Sequence, residues 1–239
     1  MRIIFVRHAE PDYANDTLTE KGWREAALLA ERVSGWDVTD FYVSPLGRAR
    51  DTASLSLKKM GRTAETFDWL REFHGPVNDP TRGENVIPWD FYPEYWTKIP
   101  EMYDKDGFGN TEVMKSGRVM EEYVRISGEL DALLAKYGYV REGGLYRTGK
   151  TEGAAHDATI VLFCHMGVTL FLCSHLLGIS PVVLTSGFLA PASVTVLASE
   201  ERCPGTAYFR CQTAGDTSHL RAGGEPVSEM GYFTEPFQG

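Results

Sequence analysis

Cysteine is scarce in this 239-residue chain, and its four copies form no metal or redox pattern. Cys164, Cys173, Cys203 and Cys211 all lie in the last third, without a CxxC pair or zinc-finger spacing. Cys203 and Cys211 could meet across a hairpin, but reduced thiols of a cytosolic protein are the favoured reading. Basic charge is in deficit as well: 24 Lys and Arg stand against 33 Asp and Glu, a formal net charge of -9. A chain this acidic is a poor match for a nucleic-acid backbone or an anionic membrane. Any anion it handles must sit in a local basic pocket. There is no internal repeat and no low-complexity segment, and the ordinary composition excludes disorder, collagen and coiled coil. The apolar residues 3–6 that follow Met1-Arg2 are too short for the core of a secretory leader. The expected location is cytoplasmic.

One long stretch has no charge at all. Residues 158–199 contain no Asp, Glu, Lys or Arg, and about 20 apolar residues suffice to span a membrane. His165, His175 and Pro181 interrupt the run, however, and no Lys or Arg cluster flanks it. Residues 159–163, Thr-Ile-Val-Leu-Phe, read instead as a strand buried on both faces. Residues 167–177 follow as its helix. The run is core.

Elsewhere strands and helices alternate. Residues 2–6 predict a strand that ends at Arg7-His8. A polar loop, residues 10–17, leads to Thr19 as N-cap of a helix reaching Val33. Trp23, Ala26, Ala27, Ala30 and Val33 recur at helical spacing as its buried face. A second strand, 41–43, ends at Ser44-Pro45, read as N-cap and first residue of a helix over 46–57. A short strand near 65–69 leads into Leu70-Arg71-Glu72. Residues 111–137 predict one long amphipathic helix, 138–150 a hairpin or loop, and 193–197 and 207–211 two more strands. Residues 75–110, rich in proline and aromatic side chains, break the rhythm and read as an insertion with little regular structure that folds over the site. Residues 221–239 read as a tail. The expected fold is α/β: one domain over residues 1–239, a three-layer α/β/α sandwich around a central, mainly parallel sheet.

Ligands of such sheets bind beyond the carboxyl ends of the strands, where Arg7, His8, Ser44, Arg48, Glu72, Cys164 and His165 should converge. Arg7 and Arg48 are permanent charges shaped to hold phosphate oxygens. His8 and His165 can be neutral at physiological pH, so one can attack phosphorus. Glu72 can give a proton to a leaving alcohol and later take one from water. Singly each residue has a plainer use, as a packed histidine, a helix ion pair or a solvated loop charge. Jointly they make a metal-free site for phosphoryl transfer.

Arg7-His8-Ala9-Glu10 after the first strand resembles the Arg-His-Gly signature of the histidine phosphatase superfamily, the phosphoglycerate mutase-like group. Leu18-Thr19-Glu20-Lys21-Gly22 resembles its helix entry, and Ser44-Pro45-Leu46-Gly47-Arg48-Ala49 its second arginine motif. Leu70-Arg71-Glu72 is similar to the proton-donor motif, residues 161–168 to the second-histidine motif, and residues 215–220 to the closing motif. The resemblance implies that His8 becomes phosphorylated and that Arg7, Arg48 and His165 bind the transferred group. It makes Glu72 the general acid and then the base. It implies no metal and no other cofactor. Ala9 departs from the signature glycine, and the loop after Glu10 is shorter than in the sugar-phosphate mutases. The usual Trp-Gly beyond the proton donor is absent.

These readings lead to a metal-independent phosphomonoesterase, a phosphoric monoester hydrolase of the histidine acid phosphatase type, acting on a small organic phosphate through a phosphohistidine on His8. The aromatic insertion supplies Trp89, Tyr92 and Trp96 as candidates to stack on a ring-bearing or hydrophobic leaving group. A mutase-type phosphotransferase and an inactive phosphate-binding or scaffold protein are the alternatives. A metallohydrolase using His8, His165 or His219 lacks any HExxH or His-x-His spacing.

Overall fold

A computed structural model describes residues 1–149, 157–187 and 189–238. The chain opens with β1 (Arg2–Arg7), a ribbon of β2 (Pro11–Asp12) and β3 (Thr17–Leu18), α1 (Glu20–Val33), β4 (Asp40–Val43), α2 (Gly47–Met60) and β5 (Glu65–Thr66). The insertion holds the hairpin of β6 (Val77–Asp79) and β7 (Gly83–Val86), the single turn α3 (Pro93–Trp96) and two 3-10 turns. Next come α4 (Glu112–Lys115), α5 (Val119–Lys136), the hairpin of β8 (Val140–Glu142) and β9 (Leu145–Arg147), β10 (Thr159–Cys164) and α6 (Met166–Leu177). The chain closes with α7 (Pro181–Leu184), β11 (Val194–Cys203), β12 (Thr206–Asp216) and α8 (Ser218–Ala222).

Eight strands form the central sheet in the order β5-β4-β10-β1-β11-β12-β9-β8. From β5 to β1 all neighbours are parallel, and from β1 to β8 all are antiparallel. All strands but β11 and β9 therefore point the same way, as a mainly parallel sheet requires. Alternation along β1 shows why both faces are covered. Ile3 and Phe5 join a core with α5, α6 and the insertion, while Ile4 and Val6 join another with Leu29 and Val33 of α1 and Ala53 of α2. Side chains on a strand alternate in direction, so a continuous apolar run such as 3–6 or 159–164 must be buried twice. Among the described residues no helix is long and apolar enough to cross a membrane. The uncharged run is β10 and its neighbours, with β10 buried at every residue.

Register sets up the site. β1 pairs with β10 so that Arg7 lies opposite Cys164, and β10 pairs with β4 so that Phe163 lies opposite Val43. The next residues of these strands, His8, His165 and Ser44, thus leave the sheet side by side.

Several local expectations change. Thr19 does cap α1, its side chain accepting the Gly22 N–H at 3.0 Å. The buried face of α1 is instead Gly22, Glu25, Ala26, Leu29, Ala30 and Val33, with Trp23 and Ala27 exposed. The predicted helix over 111–137 is two helices. At the turn between them Ser116 Oγ accepts the Asn78 N–H of the insertion hairpin (2.8 Å), so that turn serves the insertion. Strand 65–69 shortens to β5, followed by a 3-10 turn over Asp68–Leu70. The last two expected strands are parts of a longer hairpin: 193–197 falls at the start of β11 and 207–211 at the start of β12, and each strand runs on through polar residues. The hairpin's register places Cys203 opposite Thr206 and Cys211 opposite Leu197, and the cysteines are free thiols. The hairpin expected over 138–150 is β8 and β9; Lys150 lies outside the described residues.

Candidate active site

His8 leaves β1 held at three points. Its N–H donates to the Cys164 carbonyl at 3.0 Å, and its carbonyl accepts the Ala192 N–H at 3.0 Å. Its Nδ1 lies 2.8 Å from the Ala9 carbonyl oxygen. A carbonyl only accepts, so Nδ1 carries the proton and Nε2 keeps its lone pair. Burial, and next the charge of Arg7, hold the His8 pKa down to about 3. The ring is neutral at every physiological pH. The Ala9 methyl, the departure from the signature glycine, is fully buried with Leu18, Ala26, Ala192 and Leu220 and costs the loop no exposure.

His165 follows β10, and its ring centroid is 5.1 Å from that of His8. Burial, and then His8 and the nearby arginines, keep its pKa well below the ordinary range. Its Nε2 is 2.8 Å from Ser44 Oγ, and Ser44 Oγ accepts the Leu46 N–H at 3.3 Å. A Ser44 hydroxyl that donates to Nε2 leaves the imidazole proton on Nδ1, the tautomer in which His165 can donate to a ligand. Nδ1 is buried and has no partner among the described residues. Ser44 is therefore a support for His165, where the sequence suggested a helix cap. α2 begins at Gly47 after Leu46, without a side-chain cap.

Arg48 stands in the first turn of α2. Asp16 fixes it from the β2–β3 ribbon, accepting Arg48 Nη1 and the Gly47 N–H, each at 2.7 Å. A Cβ at residue 47 would lie 1.9 Å from the Asp16 carbonyl oxygen, so only glycine permits this approach. Arg48 Nε is a second buried donor with no partner among the described residues. Arg7, buried at the end of β1, donates through Nη1 to the Leu189 carbonyl and bonds the Tyr13 phenol. Buried polar atoms without partners are costly, and here His165 Nδ1 and Arg48 Nε have none among the described residues, while the Arg7 guanidinium lines the same cavity as Arg48. An anion is what such a space takes.

Glu72 approaches from the other side. Its Oε1 accepts the Phe73 N–H at 2.8 Å and the Val168 N–H, at the start of α6, at 3.0 Å. Those bonds and Arg7 favour the carboxylate, but burial outweighs them and raises its pKa. Next to Glu72, Phe73 stacks flat on Phe171 of α6 at 3.7 Å between centroids, which fixes the acid to that helix. Cys164 is a bystander: burial pushes its thiol up to about 12, and it bonds Thr169. Among the described residues no group of three His, Cys, Asp or Glu is arranged to hold a metal ion.

Above these residues lies a cavity of about 730 Å³, with Arg7, Arg48 and Glu72 in its lining and Tyr13, Phe73, Trp89 and Met166 around them. His8 and His165 are almost completely buried beside it. Of the three aromatic residues expected at the substrate, the structure brings only Trp89 to the cavity. Tyr92 precedes the single turn α3 and Trp96 ends it, and neither is in the lining. Tyr92 lies exposed over Arg82, and Trp96 packs against Tyr103. Sequence reasoning missed Tyr13, Ile87 and the segment 231–234, all in the lining. The segment belongs to the supposed tail, which folds back: Glu225 pairs with Lys21 and Arg24, and Ser228 donates to Glu10. Glycine and proline without periodicity gave no sign of this. The closing motif acts by docking, with Asp216 and His219 bonding Arg32 of α1.

Solved structures share this arrangement of the chain. A mycobacterial glucosyl-3-phosphoglycerate phosphatase superposes with a TM-score of 0.60 at 21% identity, over 90% of this chain and 98% of that one. A phosphoserine phosphatase from Entamoeba histolytica, in complex with phosphoserine, gives 0.58 at 18% over 92% and 98%. Among curated proteins, a 2,3-bisphosphoglycerate-dependent phosphoglycerate mutase from Thermoplasma acidophilum is 40% identical over 79 residues, 29% of this chain and 40% of that protein. A probable phosphoglycerate mutase from Serratia proteamaculans is 29% identical over 107 residues, 41% and 48% of the two. The chain thus spans less than half the length of these curated relatives. The histidine phosphatase superfamily (branch 1) model matches residues 3–123, half of the chain. That match runs from β1 into α5 and takes in Arg7, His8, Arg48 and Glu72, so this chain belongs to branch 1 of the histidine phosphatase superfamily.

Proposed function

We propose that this chain is a phosphomonoesterase that hydrolyses a small organic phosphate through phosphorylated His8. The observation that carries the reading is geometric. His8, its Nδ1 bonded to the Ala9 carbonyl and its Nε2 free, stands beside His165 at the strand ends with Arg7 and Arg48, and the buried Glu72, whose pKa burial raises, lines the same cavity as the two arginines. In the first step the Nε2 lone pair attacks phosphorus and the ester P–O bond breaks. The leaving oxygen takes the Glu72 proton. Arg7, Arg48 and His165 Nδ1–H hold the phosphoryl oxygens as charge moves onto them. In the second step Glu72, now a carboxylate, takes a proton from water. The water oxygen attacks phosphorus, the P–N bond breaks, and inorganic phosphate leaves.

The curated relatives are named as mutases, and a mutase must shield its phosphohistidine from water. Tyr13, Ile87 and Phe233, three cavity-lining residues, are exposed to solvent. An open rim favours water as the acceptor and hence hydrolysis. The test is phosphate release from p-nitrophenyl phosphate in EDTA between pH 5 and 8, by the wild type and by His8→Ala. Release by the wild type alone is expected. Release by both would remove His8 from the mechanism. Silence in both, with transfer between 3-phosphoglycerate and its bisphosphate, would establish the mutase instead.

A further inference from the structure

The cavity is chemically two-sided. Its permanent cations, Arg7 and Arg48, lie with the phosphoryl-binding atoms. The rest of the lining is mostly apolar, with Tyr13, Phe73, Ile87, Trp89, Met166, Tyr232 and Phe233, and its polar members are Glu72, His74, Asp90, Thr185 and Thr234. Asp90 is paired with Arg82 at 2.9 Å, and Arg82 is not itself in the lining. Apart from Arg7 and Arg48 no Lys or Arg is in the lining, so no second permanent cation stands ready for another anion. Large apolar side chains are usually buried, yet here three stand in water around one opening: Tyr13 is 61%, Ile87 42% and Phe233 90% exposed. They come from three separate stretches of chain.

The Phe233 contribution is held in place. Val227 and Gln238 close a loop on themselves, the Val227 N–H donating to Gln238 Oε1 at 2.8 Å. Ser228 ties the loop to Glu10, two residues beyond His8, at 2.6 Å. Residues 231–234 are thereby held at the cavity that Ile87 and Trp89 of the insertion also line.

We propose that the insertion and the C-terminal loop form a two-sided apolar clamp, Ile87 and Trp89 against Tyr232 and Phe233, which selects phosphate monoesters of uncharged hydrophobic alcohols and rejects carboxylate-bearing ones. Its identification as a substrate clamp rests on the phosphatase reading above; its binding preference stands without it. The preference also separates this chain from structural neighbours whose named ligands, phosphoserine and 3-phosphoglyceric acid, carry carboxylates.

Straight-chain alkylphosphonates test the clamp, since they bind without being cleaved. Across ethyl- to hexylphosphonate, calorimetric affinity is expected to rise two- to fourfold per methylene, the upper figure being about the value of a fully buried methylene. 2-Carboxyethylphosphonate should bind at least tenfold more weakly than butylphosphonate. In Ile87→Ala/Phe233→Ala, whose side chains are exposed and whose loss should leave folding intact, the dependence on chain length should flatten. A flat series in the wild type, tighter binding of the carboxylate, or an unchanged slope in the double variant overturns the clamp. Hydrolysis of n-alkyl phosphates is followed alongside. Phosphate release with a flat phosphonate series would leave the phosphatase and remove the clamp. A rising series without release would leave the clamp and remove the phosphatase.

Discussion

Glu72 carries the most opposed influences of any single residue in the site. Three backbone N–H groups, those of Phe73, Val168 and Gly167, and Arg7 pull it toward the carboxylate, and burial prevails. The raised pKa keeps the acid form available above the ordinary carboxyl range, as the first step requires. The second step requires the carboxylate, which the departing proton creates. Replacing Glu72 by Gln should lower kcat for an alkyl phosphate by about 10²–10⁴-fold, the usual cost of losing a general acid. The loss should be much smaller for p-nitrophenyl phosphate, whose leaving group hardly needs a proton. Equal losses on both esters would take the acid role away from Glu72. The pH profile follows the same logic. His8 is already neutral above about pH 3, so the neutral range contains no limb from the nucleophile. On alkyl esters kcat/KM should fall on the alkaline side as free Glu72 loses its proton. That limb should be missing in Glu72→Gln, and its persistence there would assign it to another group.

At the scale of elements, the site depends on the packing of α6 against the insertion. A Cβ at Gly167 would stand 2.7 Å from Glu72 Oε1 and 2.7 Å from the Trp89 ring. Gly167→Ala should therefore displace both the acid and the Trp89 indole, since the new methyl would meet each of them. Overpacking of this kind costs about 1–3 kcal/mol of stability, and a displaced catalytic group costs roughly 10²-fold in rate. A variant with wild-type melting temperature and kcat would show that α6 yields freely. The strand-end residues Arg7, His8, Ser44 and His165 were legible in the sequence because strand length, parallel pairing and one carboxyl edge determine where they emerge. The clamp was not. Aromatic content marks Trp89, Tyr92 and Trp96 equally, and only the folded structure separates one that lines the cavity from two that do not. The loop bearing Phe233 has no periodicity, and its position depends on Gln238 and Ser228 finding distant partners.

Over the whole molecule, the acidic balance has a buried counterpart beneath the nucleophile. Glu25 of α1 is completely buried, accepts the Glu10 N–H at 2.8 Å and has Lys21 at 3.7 Å, with Glu10 and Glu225 as further acidic neighbours. Burial raises its pKa from 4.5 to about 7. Between those values the folded chain holds a proton that the unfolded chain has released, so raising the pH through this window lowers stability. The shift corresponds to about 3 kcal/mol, lost progressively from pH 4.5 upward and fully lost above about 7. The histidines act in the opposite sense. His8 and His219 have pKa values depressed to about 3 and 4, so their share of stability is present above 6.5 and is lost as pH falls toward those values. Glu25→Gln keeps the hydrogen-bond acceptor and removes the titration. Its melting temperature should come to exceed that of the wild type by a margin that widens from pH 5 to pH 7.5, while the decline below pH 5 remains in both. A margin independent of pH would mean that Glu25 keeps its charge in the folded protein, with Lys21 compensating it, and that the nucleophile loop rests on an ion pair.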